Sequence, residues 1–407
     1  MATCVLEIEL TQGIRDRQGL GDYGQALVLL RFHGRPLGTM RVPCQDGMLR
    51  AADLCAAIES YGNLSWYLTQ AALTHWLMQH ELPITAQLPT WSIVICTRDR
   101  TDDLRRCLDS LLKLQTPGGE VIVVDNAPSD SSTARLVADY PVRYVREDRI
   151  GLNWARSRGA RVATGDIVIY TDDDVVVDAG WVSSILEPFS HLRVAAVTGL
   201  TMPLELGTEA QELFEVYGGL GRGFRRRVFD YTMMAPSAAG IVGAGANMAI
   251  RRELINDMHL FDAELDCGTV ARTGGDAYAF YQLLVKGYQI VYTPQALVWH
   301  RHRRDYASLR KTLASYSVGG FAFLTRCWLR HGDWQALAVA ASWFWNDHLH
   351  QLARTLGRRP GYLPLDLVLA QITAIPLGPW AYFVGRRLEG AASAGVVPET
   401  VLVRVQP

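Results

Sequence analysis

The sequence predicts an α/β protein whose mainly parallel sheet is flanked by helices, preceded by a small β-rich unit and followed by a helical region. Two observations carry this. From Trp91 onward, short apolar runs recur: Ser92 to Cys96, Val121 to Val124, Val142 to Val145 and Ile167 to Tyr170. Between them lie segments such as Leu104, Cys107, Leu108 and Leu111, whose apolar residues repeat with helical period. Strands that alternate with helices are joined by crossovers, which favours parallel pairing.

The flanks read differently. Cys4 to Leu10, Leu27 to Phe32 and Thr39 to Val42 read as strands, with a turn at Gly34-Arg35-Pro36, and Ala51 to His80 has helical spacing. Two prolines between Leu82 and Thr90 act as a connector, so the expected division is a β-rich unit over 1–85, an α/β core over 86–304 and a helical region over 305–407. The last region contains expected helices over Tyr306 to Leu329 and Asp333 to His350. The apolar stretch Leu363 to Val384 follows, interrupted by three prolines, Asp366 and Gln371. A spanning helix needs about 20 predominantly apolar residues, so these interruptions favour packing on the core or an interfacial segment, the latter helped by Trp380, Tyr382 and Arg386-Arg387.

Composition narrows the function. The 407 residues are 49% hydrophobic and 20% charged, enough apolar surface for a folded core. Forty basic against 41 acidic residues lack the positive field of a general nucleic-acid binder, so nucleic acid is not an expected partner. Seven cysteines without a C-x-x-C pair fit neither a zinc site nor a disulfide framework, and reduced thiols are expected. Glu7 and Glu9 sit where a signal peptide would run apolar, and a cytoplasmic location is expected, with peripheral contact to the inner face of the membrane through the 363–387 region.

In parallel sheets, ligands bind beyond the carboxyl ends of the strands. The first strand ends in Thr97-Arg98-Asp99-Arg100 and the second in Asp125-Asn126, which makes Thr97, Arg98, Asp99 and Asp125 candidate donor-binding residues. Helix caps or turns are the alternative for the two acids. Thr171-Asp172-Asp173-Asp174 closes another apolar run. Three adjacent carboxylates repel one another and persist most easily beside a cation; Mg²⁺ or Mn²⁺ held by one or two of them would neutralise a diphosphate. An acidic surface turn is the plain alternative.

Asp276 precedes the expected helix Ala277 to Lys286, where it is either a helix cap or a general base. Asp266 and Glu264 are the next candidates for that role. His300, at the end of Ala296 to Trp299, is a candidate metal or diphosphate contact at the head of the basic run that ends at Arg304. Gly218 to Gly223 lacks the strand before and helix after that a phosphate-binding loop requires, and reads as a mobile lid or acceptor loop.

From about Trp91 to Arg304 the chain resembles the inverting family-2 glycosyltransferases. The carriers are Val94 to Arg100, Val123 to Asn126, Gly151 to Gly159, Asp172 to Asp174 and Gly245 to Met248, in this order. The resemblance implies a GT-A type fold and transfer of a sugar from a nucleotide-diphosphate donor, with a UDP-sugar expected. It implies that Asp99 and Asp125 meet the nucleoside, Arg156 lies near the donor, Asp172 contacts the ribose side, Asp173 joins the donor site, Asp174 binds Mn²⁺ or Mg²⁺ and Asp276 is the base. Similar proteins carry another acid just before that aspartate and often one two residues after it, where this chain has Gly275 and Tyr278. That departure keeps a catalytically silent sugar-nucleotide-binding protein in view. A nucleotidyltransferase of sugar-nucleotide metabolism is the other alternative, although the first strand lacks the glycine-rich loop those enzymes use. The acceptor, whether a saccharide, a lipid-linked species or a small molecule, lies outside the shared core.

Overall fold

The computed structural model describes residues 2–60, 62, 64–80, 88–114, 118–262, 264–267 and 269–393. The expected domain boundary near residue 85 lies outside them.

Three strands open the chain: β1 (Thr3–Glu9) pairs parallel with β2 (Gln25–Phe32), which pairs antiparallel with β3 (Arg35–Pro43). Helices α1 (Ala51–Ser60) and α2 (Leu64–His80) follow. Strand β2 serves two cores at once. Ala26, Val28 and Leu30 face the cluster under this small sheet, while Leu27 and Leu29 join the main core of the molecule. Burial on both faces explains why the strand is an unbroken apolar run rather than an alternating one. Arg31 fastens the sheet to the rest, with Nη2 2.5 Å from Asp178 Oδ2, and Arg41 donates to Glu212 at 2.8 Å.

The central sheet is built from β4 (Trp91–Thr97), β5 (Gly119–Asn126), β6 (Arg143–Glu147), β7 (Ile167–Asp172), β8 (Val175–Val177), β9 (Val194–Pro203), β10 (Arg227–Phe229), β11 (Asn247–Arg251) and β12 (Gln289–His300). Its order is β10-β12-β9-β11-β7-β4-β5-β6, with β8 against β12. The half from β7 to β6 is parallel, as is the β9–β12 pair, and β11 joins the two antiparallel to both neighbours. Side-chain alternation divides the packing: Val94, Val124, Val168 and Tyr170 enter one cluster, and Ile93, Ile95, Val123 and Ile169 enter the other. The sheet is thus covered on both faces by α3 (Thr101–Leu111), α4 (Ser132–Val137), α5 (Leu152–Val162), α6 (Trp181–Leu186), α7 (Glu209–Tyr217), α8 (Arg252–Met258) and α9 (Gly275–Val285).

The last region is helical: α10 (Tyr306–His331), α11 (Gln335–Trp343), a π turn at Phe344–Leu349, α12 (His350–Leu356), α13 (Leu365–Ala374) and α14 (Leu377–Ser393). Asp305 caps α10 by accepting from Ser308 N at 2.7 Å. Its buried Leu313, Val318, Phe323 and Leu324 each contribute roughly 1.5–3 kcal/mol of burial. The three prolines of the apolar stretch fall at helix ends rather than inside a helix. Pro364 is the cap of α13, Pro376 falls at the junction and Pro379 lies in the first turn of α14, all positions a proline tolerates. Leu365–Arg386 is consequently a helical stretch long and apolar enough to cross a membrane by length and composition, with 44% of its apolar window buried inside the molecule.

Candidate active site

Parallel register brings three strand ends to one rim. Thr97 lies opposite Asp125 and Cys96 opposite Asp172. Above this rim opens a cavity of about 1440 Å³, whose lining includes Thr97, Arg98, Arg156, Asp172, Asp173, Asp174, Asp276 and His300.

The acid triplet is closed by the guanidinium of Arg100 and the imidazole of His300. Asp173 is buried, with one oxygen accepting from Thr97 Oγ1 at 2.8 Å and the other from Arg100 Nη1 at 2.6 Å. Asp174 Oδ2 accepts from Arg100 Nη2 at 2.8 Å, while His300 Nε2 stands 3.2 Å from Asp174 Oδ1. Burial comes first in raising Asp172, with Asp174 adding to it, and it pushes Asp173 up to about 7 against the pull of Arg100. Burial opposes charge on Asp174 as well, but His300 and Arg100 outweigh it and hold its pKa well below the usual carboxylate range. Asp172, Asp174 and His300 each offer one ligand atom, all within 4.8 Å of one another. Asp174 Oδ1 is buried without a hydrogen-bond partner. An orphaned carboxylate oxygen beside a second carboxylate and an imidazole is a donor set that suits a divalent cation.

Arg156 projects from α5 and is buried. Burial would lower its pKa, but Asp172 and Asp276 overcome this, so a fixed positive charge stands between the acid triplet and α9. The two expected nucleoside contacts already have partners within the protein. Asp125 is fully buried beneath the rim, accepting from Tyr144 Oη at 2.9 Å, and burial raises its pKa. Asp99, at φ +54°, accepts from Ser129 N at 2.9 Å and ties two loops. Neither lines the cavity, whereas Asn126, beside Asp125, does. Asn126 donates to Arg149 O and accepts from Gly151 N, fixing the loop that leads into α5.

Asp276 lies in the first turn of α9. One oxygen accepts from Ala277 N at 2.8 Å, a cap-like contact, and the other from Gly245 N at 2.9 Å, while the side chain still borders the cavity. The position before it has a packing reason to be glycine: a Cβ on Gly275 would lie 2.2 Å from Asn153 Nδ2 and 2.7 Å from Leu265 O. Tyr278 points the other way, hydrogen-bonded to His331 Nε2 at 2.9 Å under the guanidinium of Arg326. Both departures from the family pattern are therefore seams, one to α5 and one to α10. Asp266 caps α5 by accepting from Asn153 N at 2.6 Å; burial is the main cause that pushes its pKa to about 7. Glu264 pairs with Arg326 Nη1 at 2.5 Å.

Sequence reasoning missed the aromatic far wall: Phe214 and Tyr217 of α7, Tyr316 and Phe323 of α10 and Trp343 of α11 line the same cavity. Gly219, Leu220 and Arg222 of the glycine-rich segment, expected as a lid or acceptor loop, line it too. It also missed a polar chain behind His300: Nδ1 lies 3.1 Å from His302 Nδ1, and His302 Nε2 lies 2.8 Å from Glu215 Oε1. The only signal was the i, i+2 spacing of the two histidines on an extended segment, which places them on one side.

Residues 92–258 match the family described as Glycosyl transferase family 2. The pre-mycofactocin glycosyltransferase of Mycobacterium tuberculosis is 28% identical over 323 residues, covering 77% of this chain and 62% of that protein. The chain thus spans less than two thirds of the length of that relative. The glucosyl-dolichyl phosphate glucuronosyltransferase of Haloferax volcanii is 23% identical over 227 residues, covering 52% of this chain and 68% of that protein. Among solved structures, the mannosyltransferase of Pyrobaculum calidifontis in complex with GDP-Man and Mn²⁺ aligns with a TM-score of 0.43 at 19% identity, covering 85% of this chain and 88% of that one.

Proposed function

We propose that this chain, whose residues 92–258 match glycosyltransferase family 2, moves a sugar, with inversion, from a nucleotide-diphosphate donor to an acceptor hydroxyl. One observation carries the reading: Asp172, Asp174 and His300 converge beside Arg156 on the cavity that Asp276 also borders. A divalent cation, Mn²⁺ or Mg²⁺, bound by these three side chains would neutralise the departing nucleotide diphosphate.

The chain's own residues do the rest. Arg156 sets a positive charge next to Asp172 and Asp276. Asp276 accepts the proton of the acceptor hydroxyl as its oxygen forms the new bond to the anomeric carbon; the bond to the phosphate oxygen breaks and the electron pair leaves with the diphosphate. A single displacement needs no protein nucleophile, and the buried, proton-retaining thiol of Cys96 is unsuited to be one. The aromatic wall of α7, α10 and α11 gives the acceptor its side of the cavity.

A UDP-sugar is the first donor to try. Incubating the protein with a panel of nucleotide sugars and Mn²⁺ should release diphosphate nucleotide from one of them, even by slow hydrolysis. Release from none, with the protein folded and Mn²⁺ bound, sinks the reading. We also infer a cytoplasmic, peripheral membrane location. The exposed Trp380 and Phe383 and the exposed Arg386 of α14 suit an interface of headgroups and acyl chains.

A further inference from the structure

A histidine that ligates a metal through Nε2 must carry its proton on Nδ1, and what accepts that proton decides whether the ligand is set or free to change. For His300 the acceptor is another imidazole. His300 Nδ1 and His302 Nδ1 are 3.1 Å apart, so one of them donates and the other accepts. The choice is made one bond further back. His302 is 3% exposed, its ring rests on Phe214 at 4.6 Å between centroids, and its Nε2 lies 2.8 Å from Glu215 Oε1. An ionised carboxylate only accepts. It therefore requires the proton of His302 on Nε2, which leaves His302 Nδ1 as the acceptor and puts the proton of His300 on Nδ1. The Nε2 lone pair of His300 then faces Asp174 Oδ1, 3.2 Å away and without a hydrogen-bond partner.

The opposite arrangement is available to the same atoms. With the proton of His302 on Nδ1, His300 Nδ1 must accept, and His300 Nε2 carries a proton aimed at Asp174, where it competes with an ion. We propose that Glu215, acting through His302, is a positioning residue that holds His300 in the metal-ligating tautomer. The proposal rests on the metal site of the preceding section. It gives α7 a task that neither the family match nor the acid triplet implies.

Glu215 also meets the glycine-rich segment. Gly219, at φ +55°, leaves room for the carboxylate: a Cβ there would stand 2.6 Å from Glu215 Oε1. The carboxylate that sets the tautomer is thus held against the loop that lines the cavity.

Calorimetric titration of the full chain with Mn²⁺ alone tests this. Glu215→Leu should weaken Mn²⁺ binding about 10- to 100-fold, the range expected when a partner behind a ligand is lost. Glu215→Gln, which keeps an oxygen acceptor, should recover part of the loss. His302→Phe keeps the ring on Phe214 but removes both nitrogens; it should weaken binding to a similar extent, and the Glu215→Leu/His302→Phe pair should weaken it no further than His302→Phe alone. A role in packing alone would lower melting temperature without this pattern. Should Glu215→Leu fail to fold, His302→Phe with its comparison to His302→Phe/Glu215→Gln decides the matter, because the second change should then be silent. Binding by Glu215→Leu or His302→Phe within twofold of the wild type overturns the proposal while leaving the metal site standing. No binding by the wild type overturns the metal site, and the proposal with it.

Discussion

The two sides of the cavity are made in different ways. The acid side comes from strand ends, and its members, Thr97, Arg98, Arg100 and Asp172 to Asp174, are near neighbours in sequence held by the parallel register of β4 and β7. The aromatic side is assembled from three helices whose contributions, such as Tyr217, Tyr316 and Trp343, are far apart in the chain. Residues clustered in sequence advertise chemistry, since like charges side by side need a reason. Residues brought together only by folding look like ordinary core positions until the fold is known.

The sharpest separation of the two sides comes from two carboxylates. Asp174→Asn should abolish Mn²⁺-dependent nucleotide binding and turnover together, because it removes a charge and a ligand atom from the donor half. Asp276→Asn should leave nucleotide affinity nearly intact and lower turnover by about 10² to 10⁴. Calorimetry beside initial rates reads both. Retained transfer with a lower melting temperature would make Asp276 a helix cap, which its bond from Ala277 N would then explain.

Next is the seam between α5 and α9, beside Asp276. Gly275→Ala should cost roughly 1–3 kcal/mol, because the new methyl meets Leu265 O and the Asn153 amide. Adding Asn153→Ala should relieve part of that cost, so that urea unfolding of the pair is less than additive. Full additivity would mean that the two residues do not share the space.

A shallower effect belongs to Asp266. Its folded pKa of about 7 stands above the unfolded value of about 3.9, so between these limits the folded state holds more protons than the unfolded chain. Stability from this group is complete below about pH 4 and is lost as pH rises towards 7. Asp266→Asn should flatten the fall in melting temperature over that window; an unchanged slope would assign it to another group. Smallest of all is association with anionic vesicles. Trp380→Ala/Phe383→Ala should reduce sedimentation of the intact chain with them, and a wild type that never sediments ends the membrane reading.

How much was legible follows the same division. Strands β4, β5 and β7 of the parallel half were visible as apolar runs, because a strand covered on both faces has little polar alternation to confuse it. The acids were visible as chemistry, but not which way each would point. Asp125 and Asp99 follow apolar runs just as Asp172 does, yet one is buried under Tyr144 and the other binds a backbone amide. Arg100 was in view without a role, since its partners Asp173 and Asp174 lie on another strand's end. Glu215 gave no local signal at all, because its meaning depends on a histidine reached through the sheet. The 363–384 stretch was legible as interrupted, and Pro376 does fall in the break between α13 and α14, whereas the placing of Pro364 and Pro379 at helix starts was not legible.

Arg100 has one more consequence. Its guanidinium already bridges Asp173 and Asp174, with Asp103 closing the far side at 3.0 Å. A carboxylate cluster compensated by the chain itself does not need an ion in order to fold, unlike small zinc domains that unravel when stripped. Treatment with a chelator should therefore silence this protein without melting it, and returning the ion should restore it. With that arginine in place, the fold would stand whether or not an ion is bound.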